Sequence, residues 1–243
     1  MKTNRLDILF EDKYIIVCVK PHGVATQSKN TAVPDMESML KAHIFSCEPQ
    51  NGEPYLAIIH RLDQPVKGIL VFAKTSLAAR ELNRQMQNAC FEKYYRALVD
   101  GTPPDKEGTL ENYMLKDGRT NTSSICTREV PGAKPARLHY KIVEEGQGYF
   151  KMGHPETSWG RGKSQFPPSP TEPSPTELDI RLDTGRHHQI RVQLANLGCP
   201  IIGDTKYNPK AMDTGAWQQI QLCAYRLSFL HPKTGRKMDF SLL

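Results

Sequence analysis

The apolar stretches of this chain are short, and their length limits the folds that the chain can form. Runs such as IIVCV at 15–19 and ILVFA at 69–73 have the length of β-strands, and each is followed by a lysine. No stretch approaches the roughly 20 apolar residues of a membrane-spanning helix. The chain is therefore expected to bury its apolar residues in a globular fold that is built on a sheet.

Strand patterns outnumber helix patterns along the sequence. Helical spacing of apolar residues predicts three helices, at 35–46, from Thr75 or Ser76 to Ala89, and at 188–197. Strands are predicted within 6–20, 57–74, 94–101, 136–144, 177–183 and 222–242. This content predicts an α+β fold, in which a mixed, mainly antiparallel sheet forms the core and helices and loops flank it.

One segment interrupts this order of elements. Residues 146–176 are rich in Pro, Ser and Gly, and five prolines lie between 167 and 175. Because such a composition disfavours regular structure, we interpret the segment as an insertion in a hairpin rather than a domain boundary. The whole chain, 1–243, is accordingly expected to form a single domain.

Charge and cysteine content narrow the class of protein. Lys and Arg number 32 against 26 Asp and Glu, and the net charge of +6 permits a nucleic-acid partner without requiring one. The six cysteines form no C-x-x-C pair, which disfavours a zinc site and is typical of reduced thiols in a cytosol. We therefore expect a cytoplasmic protein without a metal ion.

The first candidate site is the segment His60-Arg61-Leu62-Asp63. In an extended segment residues two apart share a face, so Arg61 and Asp63 point to one side and their two neighbours face the core. A carboxylate beside a guanidinium stays ionised at neutral pH and can act as a nucleophile or a base. A purely structural ion pair between Asp and Arg is the alternative interpretation.

Two further segments carry candidate site residues. TGRHHQIR at 184–191 places two arginines and two histidines at a predicted helix start, where backbone N–H groups favour anions. A solvated basic turn is the alternative, and a metal site is disfavoured because adjacent histidines point apart. KYYRA at 93–97 is a predicted strand, in which a tyrosine can either stack on a nucleobase or fill the core.

Together, and in this order, these segments resemble the RluA-type pseudouridine synthases. The resemblance covers nearly the whole chain except 146–176, and several separate segments at compatible spacing are more specific than any one of them. The matching stretches are ILFEDKYIIVCVKPHGVATQ at 8–27, HRLDQPVKGILVFAK at 60–74, KYYRALVDG at 93–101, LDTGRHHQIRVQLANLGCPIIGDTKY at 182–207 and LCAYRLSFLHP at 222–232.

The resemblance implies roles for individual residues. Asp63 is implied to be the catalytic carboxylate, Tyr95 to stack on the flipped uracil and assist proton loss from C5, and Arg191 to pair with Asp63. Arg61 is implied to displace the target base from its stack, and Ile190 to pack under that base. Further contacts with the substrate are expected from His60, Arg186 and Gln189.

The chain departs from the family pattern at a few positions. Val66 and Lys67 precede Gly68 where members often have Thr and Ser, His187 replaces a Thr, and Gln193 replaces a His. These changes put the contacts with RNA around the site in doubt, but not the chemistry. Many relatives also carry an N-terminal RNA-binding module, which is expected to be absent because the chain starts at the catalytic part.

The function implied by the resemblance is isomerisation of specific uridines to pseudouridine in structured RNA, either ribosomal or transfer RNA. Asp63 starts cleavage of the glycosidic bond by attacking the uracil ring, attacking C1′ or removing the 2′ proton, and the sequence leaves these routes open. Because the product keeps the same atoms, no cofactor is expected. RNA is the expected partner, with no membrane and no obligatory protein partner, and the chain is expected to be a monomer.

Two other functions stay open as alternatives. A carboxylate-dependent nucleoside or glycoside hydrolase usually needs a second carboxylate, and no paired candidate stands out. A non-catalytic RNA-binding protein on the same fold is disfavoured because Asp63, Tyr95 and Arg191 are all present.

The insertion at 146–176 is compatible either with binding of single-stranded RNA or with a tolerated loop. Its basic and aromatic residues are Tyr149, Phe150, Lys151, Trp159, Arg161 and Lys163.

Overall fold

The structure of the chain is a computed structural model. The structure describes residues 6–29, 32–47, 52–88, 90–144, 147–150, 175–213 and 218–243. The chain divides into two compact units: the first contains residues 1–93 and 223–242, and the second contains residues 94–222 and 243. The prediction of a single domain over 1–243 stays a prediction.

The first unit is built on a mixed sheet. Its strands follow the order β1-β2-β4-β10, β3 also pairs with β4, and β11 also pairs with β10. The β4–β10 pair is parallel, whereas the pairs β1–β2, β2–β4, β3–β4 and β10–β11 are antiparallel. The elements are β1 (Asp7–Glu11), β2 (Ile15–Lys20), α1 (Met36–Cys47), β3 (Ala57–Ile58), β4 (Lys67–Ala73), α2 (Ser76–Gln87), β10 (Leu222–Leu230) and β11 (Lys237–Ser241).

Burial explains the apolar runs of this unit. Every residue of β2 is buried, and six of the seven residues of β4 are buried, as expected for strands that are covered on both faces. Helix α2 packs Ala78 and Leu82 into the same core, and the hydroxyl of Thr75 caps the helix by accepting a hydrogen bond from the backbone N–H of Ala78. At Gly68 the backbone of β4 approaches Ala224 so closely that a Cβ atom would collide with it.

The second unit is built on an antiparallel sheet with one main helix. Its strands follow the order β5-β9-β8-β6-β7, and α3 packs on the sheet through Val192, which contacts Met114 and Ala136. Its elements are β5 (Glu92–Val99, which begins in the first unit), β6 (Glu107–Asp117), β7 (Thr122–Cys126), β8 (Lys134–Ile142), β9 (Thr176–Leu182), α3 (Gln189–Asn196) and α4 (Pro209–Asp213).

The predicted α+β fold class is confirmed, and most predicted elements lie where the sequence placed them. The hairpin of β6 and β7 was not predicted, because its residues are mostly half-buried or exposed and carry no apolar run. Most of the predicted insertion lies outside the described residues, which include only 147–150 and 175–176 of it. Among the described residues, no helix is long and apolar enough to span a membrane.

Candidate active site

Asp63 lies in the connection between β3 and β4, where the backbone is held on both sides. The hydroxyl of Thr26 donates to the carbonyl of Leu62 at 3.1 Å and accepts from the N–H of Leu62 at 3.2 Å. A turn follows, in which the N–H of Val66 donates to the carbonyl of Asp63 at 3.0 Å. Thr26 and Leu62 are buried, whereas Asp63 is partly exposed, so the fixed backbone carries Asp63 at a position that solvent reaches.

The segment that follows β2 braces the same connection. The N–H of Gly23 donates to the carbonyl of Gln64 at 3.0 Å, and the side-chain amide of Gln64 donates to the carbonyl of Gly23 at 2.9 Å. The φ of Gly23 is +79°, a left-handed conformation that favours glycine. His22 adds a hydrogen bond from Nδ1 to the carbonyl of Pro65 at 2.8 Å. The segment that follows β2 and the connection that carries Asp63 are therefore held together by hydrogen bonds.

Lys20 ends β2, and its side chain is fully buried. Its Nζ donates hydrogen bonds to the carbonyl oxygens of Pro21, Val24 and Gln64 at 3.0, 2.7 and 2.9 Å. Burial lowers the pKa of Lys20 to about 7, and the negative charge of Asp63 opposes this shift. Lys20 therefore interacts electrostatically with Asp63 and, through the Gln64 carbonyl, holds the backbone that follows Asp63.

We expect Lys20→Met to destabilise the chain by about 1–3 kcal/mol at pH 7, because three carbonyl groups lose their donor. The pKa of Lys20 in the folded chain, about 7, lies below its ordinary value of 10.5. The unfolded chain therefore binds more protons between these two values, and the contribution of Lys20 to the free energy of unfolding rises with pH across that window. Wild type should gain stability relative to Lys20→Met as the pH rises from about 7 to about 10.

Urea unfolding of both proteins across this pH range measures the difference in free energy. Lys29→Met is the matched control, because the side chain of Lys29 is exposed. The control should follow wild type at every pH. A constant difference between wild type and Lys20→Met over the whole range would show that Lys20 does not titrate in this window.

The other residues of the His60–Asp63 motif alternate in burial as predicted. Arg61 is exposed, whereas Leu62 is buried and the ring of His60 packs edge-on against Phe91, with ring centres 5.3 Å apart. The N–H of Val71 donates to Nε2 of His60 at 3.4 Å, which places the ring proton on Nδ1. Burial and the charge of Lys93 lower the pKa of His60 to about 3, so the ring is neutral.

Arg191 lies on α3 and binds a carboxylate of the second unit. Its Nε and Nη2 donate to Oδ2 and Oδ1 of Asp204 at 2.8 and 2.7 Å, and both side chains are almost completely buried. The guanidinium carbon lies 5.1 Å from the ring centre of Tyr207. A guanidinium has five N–H donors, so Asp204 does not exhaust Arg191. The expected pairing of Arg191 with Asp63 joins residues of different units and stays a prediction.

A polar cluster fixes the start of α3. The hydroxyl of Tyr207 accepts from the N–H of Ser123 at 2.8 Å and lies 2.7 Å from Nδ1 of His188. His188 has a left-handed φ of 55°, and its ring stacks on that of His187 with centres 3.7 Å apart. Nδ1 of His187, the residue that departs from the family pattern, lies 2.9 Å from the hydroxyl of Ser123. The histidine at position 187, where the family has Thr, therefore links the segment before α3 to strand β7.

The remaining predicted site residues of the second unit are mostly buried. Tyr95 is 6% exposed and Ile190 is 4% exposed. The amide of Gln189 accepts from the N–H of Arg186 at 3.0 Å and donates to the carbonyl of Arg137 at 3.1 Å, so it supports the loop before α3. Arg186 is partly exposed and donates from Nε to the carbonyl of Pro135 at 2.8 Å. Their contacts with substrate stay predictions.

The sequence did not identify Lys20, Thr26 and Asp204 as residues that hold the predicted site residues of their own unit. Each is a polar side chain that is less than 5% exposed. The available signal was a charge at the end of an apolar strand for Lys20, and a position inside a matching family stretch for Asp204. Among the described residues, no group of three or more His, Cys, Asp or Glu side chains could hold a metal ion.

Comparison with known proteins gives the family. Residues 14–196 match the family described as RNA pseudouridylate synthase. An uncharacterised RNA pseudouridine synthase of Chloroflexus aurantiacus is 34% identical over 190 residues, which cover 78% of this chain and 50% of that protein. The ribosomal large subunit pseudouridine synthase D of Vibrio cholerae is 31% identical over 251 residues, covering 97% of this chain and 66% of that protein. The chain thus spans half to two thirds of these relatives.

Solved structures agree on the fold. The human RNA pseudouridylate synthase domain-containing protein 4 superposes with a TM-score of 0.70 at 19% identity, and covers 98% of this chain and 88% of that one. The human domain-containing protein 1 gives a TM-score of 0.68 at 20% identity, with 98% and 83% covered. At identities this low, the structural similarity establishes the fold of the chain alone.

Proposed function

The chain belongs to the RNA pseudouridylate synthase family, as its resemblance to the RluA-type synthases implied, and from this premise we propose that it isomerises uridine to pseudouridine in RNA. The observation that carries the proposal is the position of Asp63, a partly exposed residue on a loop whose backbone is fixed by Thr26, Gly23 and Lys20. A rigid loop with an accessible carboxylate is what a reaction at a single everted base requires.

The proposed reaction rearranges one nucleotide without loss of atoms. The bond between C1′ and N1 breaks, the uracil turns over in the pocket, and a bond forms between C1′ and C5. The proton on C5 is released, and N1 gains a proton. Asp63 starts the first step by one of the three routes that the sequence left open, namely attack on the ring, attack on C1′ or removal of the 2′ proton.

The other site residues have proposed roles that follow the family. Arg61 is exposed next to Asp63, which suits a side chain that takes the place of an extruded base. Tyr95 and Ile190 are proposed to contact the two faces of the uracil, and Arg191 is proposed to bind Asp63 with the N–H donors that Asp204 does not use. His60, Arg186 and Gln189 are proposed to support these contacts.

The RNA target, the compartment and the assembly state are also proposals. Because the Vibrio cholerae relative is named as a synthase of the large ribosomal subunit, ribosomal RNA is the first RNA to test, and transfer RNA is the second. All six cysteines are free thiols, which supports the reducing environment of the cytoplasm. A monomer without an obligatory protein partner is the proposed active form.

The test is incubation of the purified chain with total RNA from cells that lack its gene. We expect pseudouridine at one or a few uridines, release of tritium from RNA labelled at C5 of uridine, and no change in RNA mass. A hydrolase would leave abasic sites with a lower mass. A non-catalytic RNA-binding protein would retain RNA without releasing tritium, and that outcome would refute the proposed function.

A further inference from the structure

A pocket of about 320 Å³ in the first unit lies beside Arg61. The buried side chains of Leu56 and Ile59 supply apolar lining, and Gln27 and Glu37 supply polar atoms. The volume is at the lower end of the roughly 300–1,000 Å³ that small-molecule pockets occupy. It therefore suits one planar ring system and is too small for a helical segment of RNA.

The polar lining of the pocket is rich in hydrogen-bond acceptors. Nε2 of Gln27 donates to one carboxylate oxygen of Glu37 at 2.8 Å, and Nζ of Lys41 lies 2.8 Å from the other. A carboxylate accepts through about four lone-pair positions, so both oxygens keep acceptor capacity beyond these two bonds. Lys41, which is shared with Glu53, and Arg61 both bring positive charge near Glu37, whose negative charge would otherwise repel a phosphate backbone.

The pocket is held by the same segment that holds the catalytic loop. Gln27 directly follows Thr26, whose hydroxyl binds the backbone of Leu62 before Asp63. The carbonyl of Thr26 also accepts the backbone N–H of Glu37 at 3.2 Å. The polar wall of the pocket and the loop of Asp63 are therefore fixed to one short stretch of chain, in one unit.

We propose that this pocket receives the base of a nucleotide that flanks the target uridine, and that it selects a base with an exocyclic amino group over uracil. The inference rests on the proposed function. Unstacked bases of single-stranded RNA stack on guanidinium planes and are read on their exposed edges, and Arg61 lies at the pocket with its side chain exposed. A carboxylate accepts a hydrogen bond from N4 of cytosine, and equally from other exocyclic amines, whereas uracil offers only its ring N–H.

The experiment uses RNA that contains the target uridine found by mapping, transcribed with each of the four bases at each of the two positions on either side. Tritium release gives kcat/KM, and filter binding gives affinity, for the full chain. We expect wild type to disfavour uracil about tenfold at one flanking position. Glu37→Gln and Gln27→Ala should reduce that preference to about twofold or less at the same position only.

Glu53→Gln is the matched control. Glu53 also lies 2.8 Å from Nζ of Lys41, but its side chain is 73% exposed and does not line the pocket. The control should keep the wild-type preference at the flanking position. This result would distinguish an effect of the pocket from an effect of removing any negative charge near Lys41. Thermal unfolding should show that the variants are folded, and Gln27 is exposed, so Gln27→Ala tests the pocket without disturbing the core.

Two results would overturn the assignment of the pocket. One is the absence of any base preference at the flanking positions, and the other is a preference that survives both pocket variants or weakens equally at all positions. Failure of the proposed function gives a different pattern. In that case wild type forms no pseudouridine in the mapping experiment, and filter binding of single-stranded oligonucleotides that each carry one of the four bases at a single position still measures the base preference of the pocket.

Discussion

Replacing Asp63 by Asn should lower the rate of pseudouridine formation by at least about 10³-fold while leaving RNA binding largely intact. The amide has nearly the same shape as the carboxylate, so the turn to Val66 and the bonds between Thr26 and Leu62 are expected to persist. What disappears is the negative charge, and with it the nucleophile or base that every proposed route for the first step requires. The loss should therefore fall on kcat rather than on KM.

Tritium release and filter binding measure these two quantities for Asp63→Asn. Asp7→Asn is the control, because Asp7 is an exposed aspartate of the same unit. It should retain the wild-type rate. Asp63→Asn also removes the charge that raises the pKa of Lys20, so the pKa of Lys20 should fall below about 7 in that variant. A rate in Asp63→Asn within about tenfold of wild type would refute the role assigned to this carboxylate.

The parts of the fold that sequence could predict are those that local patterns determine. The apolar run of β4 and the spacing of Ala78 and Leu82 on α2 depend on neighbours along the chain, and both elements lie where they were predicted. The burial of Leu62 between the exposed Arg61 and the partly exposed Asp63 is likewise a property of extended backbone. Such patterns can be recognised in a single sequence because they depend only on residues that are close together along the chain.

The supports of the site could not be predicted because they depend on contacts distant in sequence. From the sequence alone, the charge of Lys20 would be expected in solvent. Only the fold brings its Nζ to the carbonyl of Gln64, which lies 44 residues further along the chain. Gln193, which departs from the family pattern, donates to the carbonyl of Leu110 at 3.1 Å and to the side chain of Asn112 at 2.8 Å. These bonds hold strand β6, whose own residues gave no strand signal, against α3.

The partner of Arg191 could not be predicted from the sequence either, and its replacement is expected to cause a larger loss of stability. The family resemblance implies Asp63 as the partner of Arg191, and the second unit itself supplies Asp204 through two hydrogen bonds of 2.8 and 2.7 Å. Asp204 also accepts the backbone N–H groups of Lys206 and Tyr207 at 2.9 and 3.3 Å. One carboxylate thus fixes both the guanidinium and the loop that carries Tyr207.

Asp204→Asn should destabilise the chain by about 3–5 kcal/mol, because it removes the anionic member of a buried ion pair while Arg191 stays charged. In a chain of this size the loss corresponds to a fall in Tm of about 10 °C. The matched control is Asp239→Asn. Asp239 also binds an arginine 13 residues away, with both oxygens, at 2.9 and 2.6 Å to Arg226, but both side chains are more than a third exposed.

The surface pair is expected to contribute less than about 1 kcal/mol, so the control should unfold close to wild type. Calorimetry or urea unfolding of the three proteins gives the comparison. Asp204→Asn should also lose activity at temperatures where it is folded, because Arg191 is then no longer held in one orientation by two charge-assisted hydrogen bonds. Equal stability of Asp204→Asn and Asp239→Asn would show that burial does not strengthen the Arg191–Asp204 pair, and that α3 is positioned by other contacts.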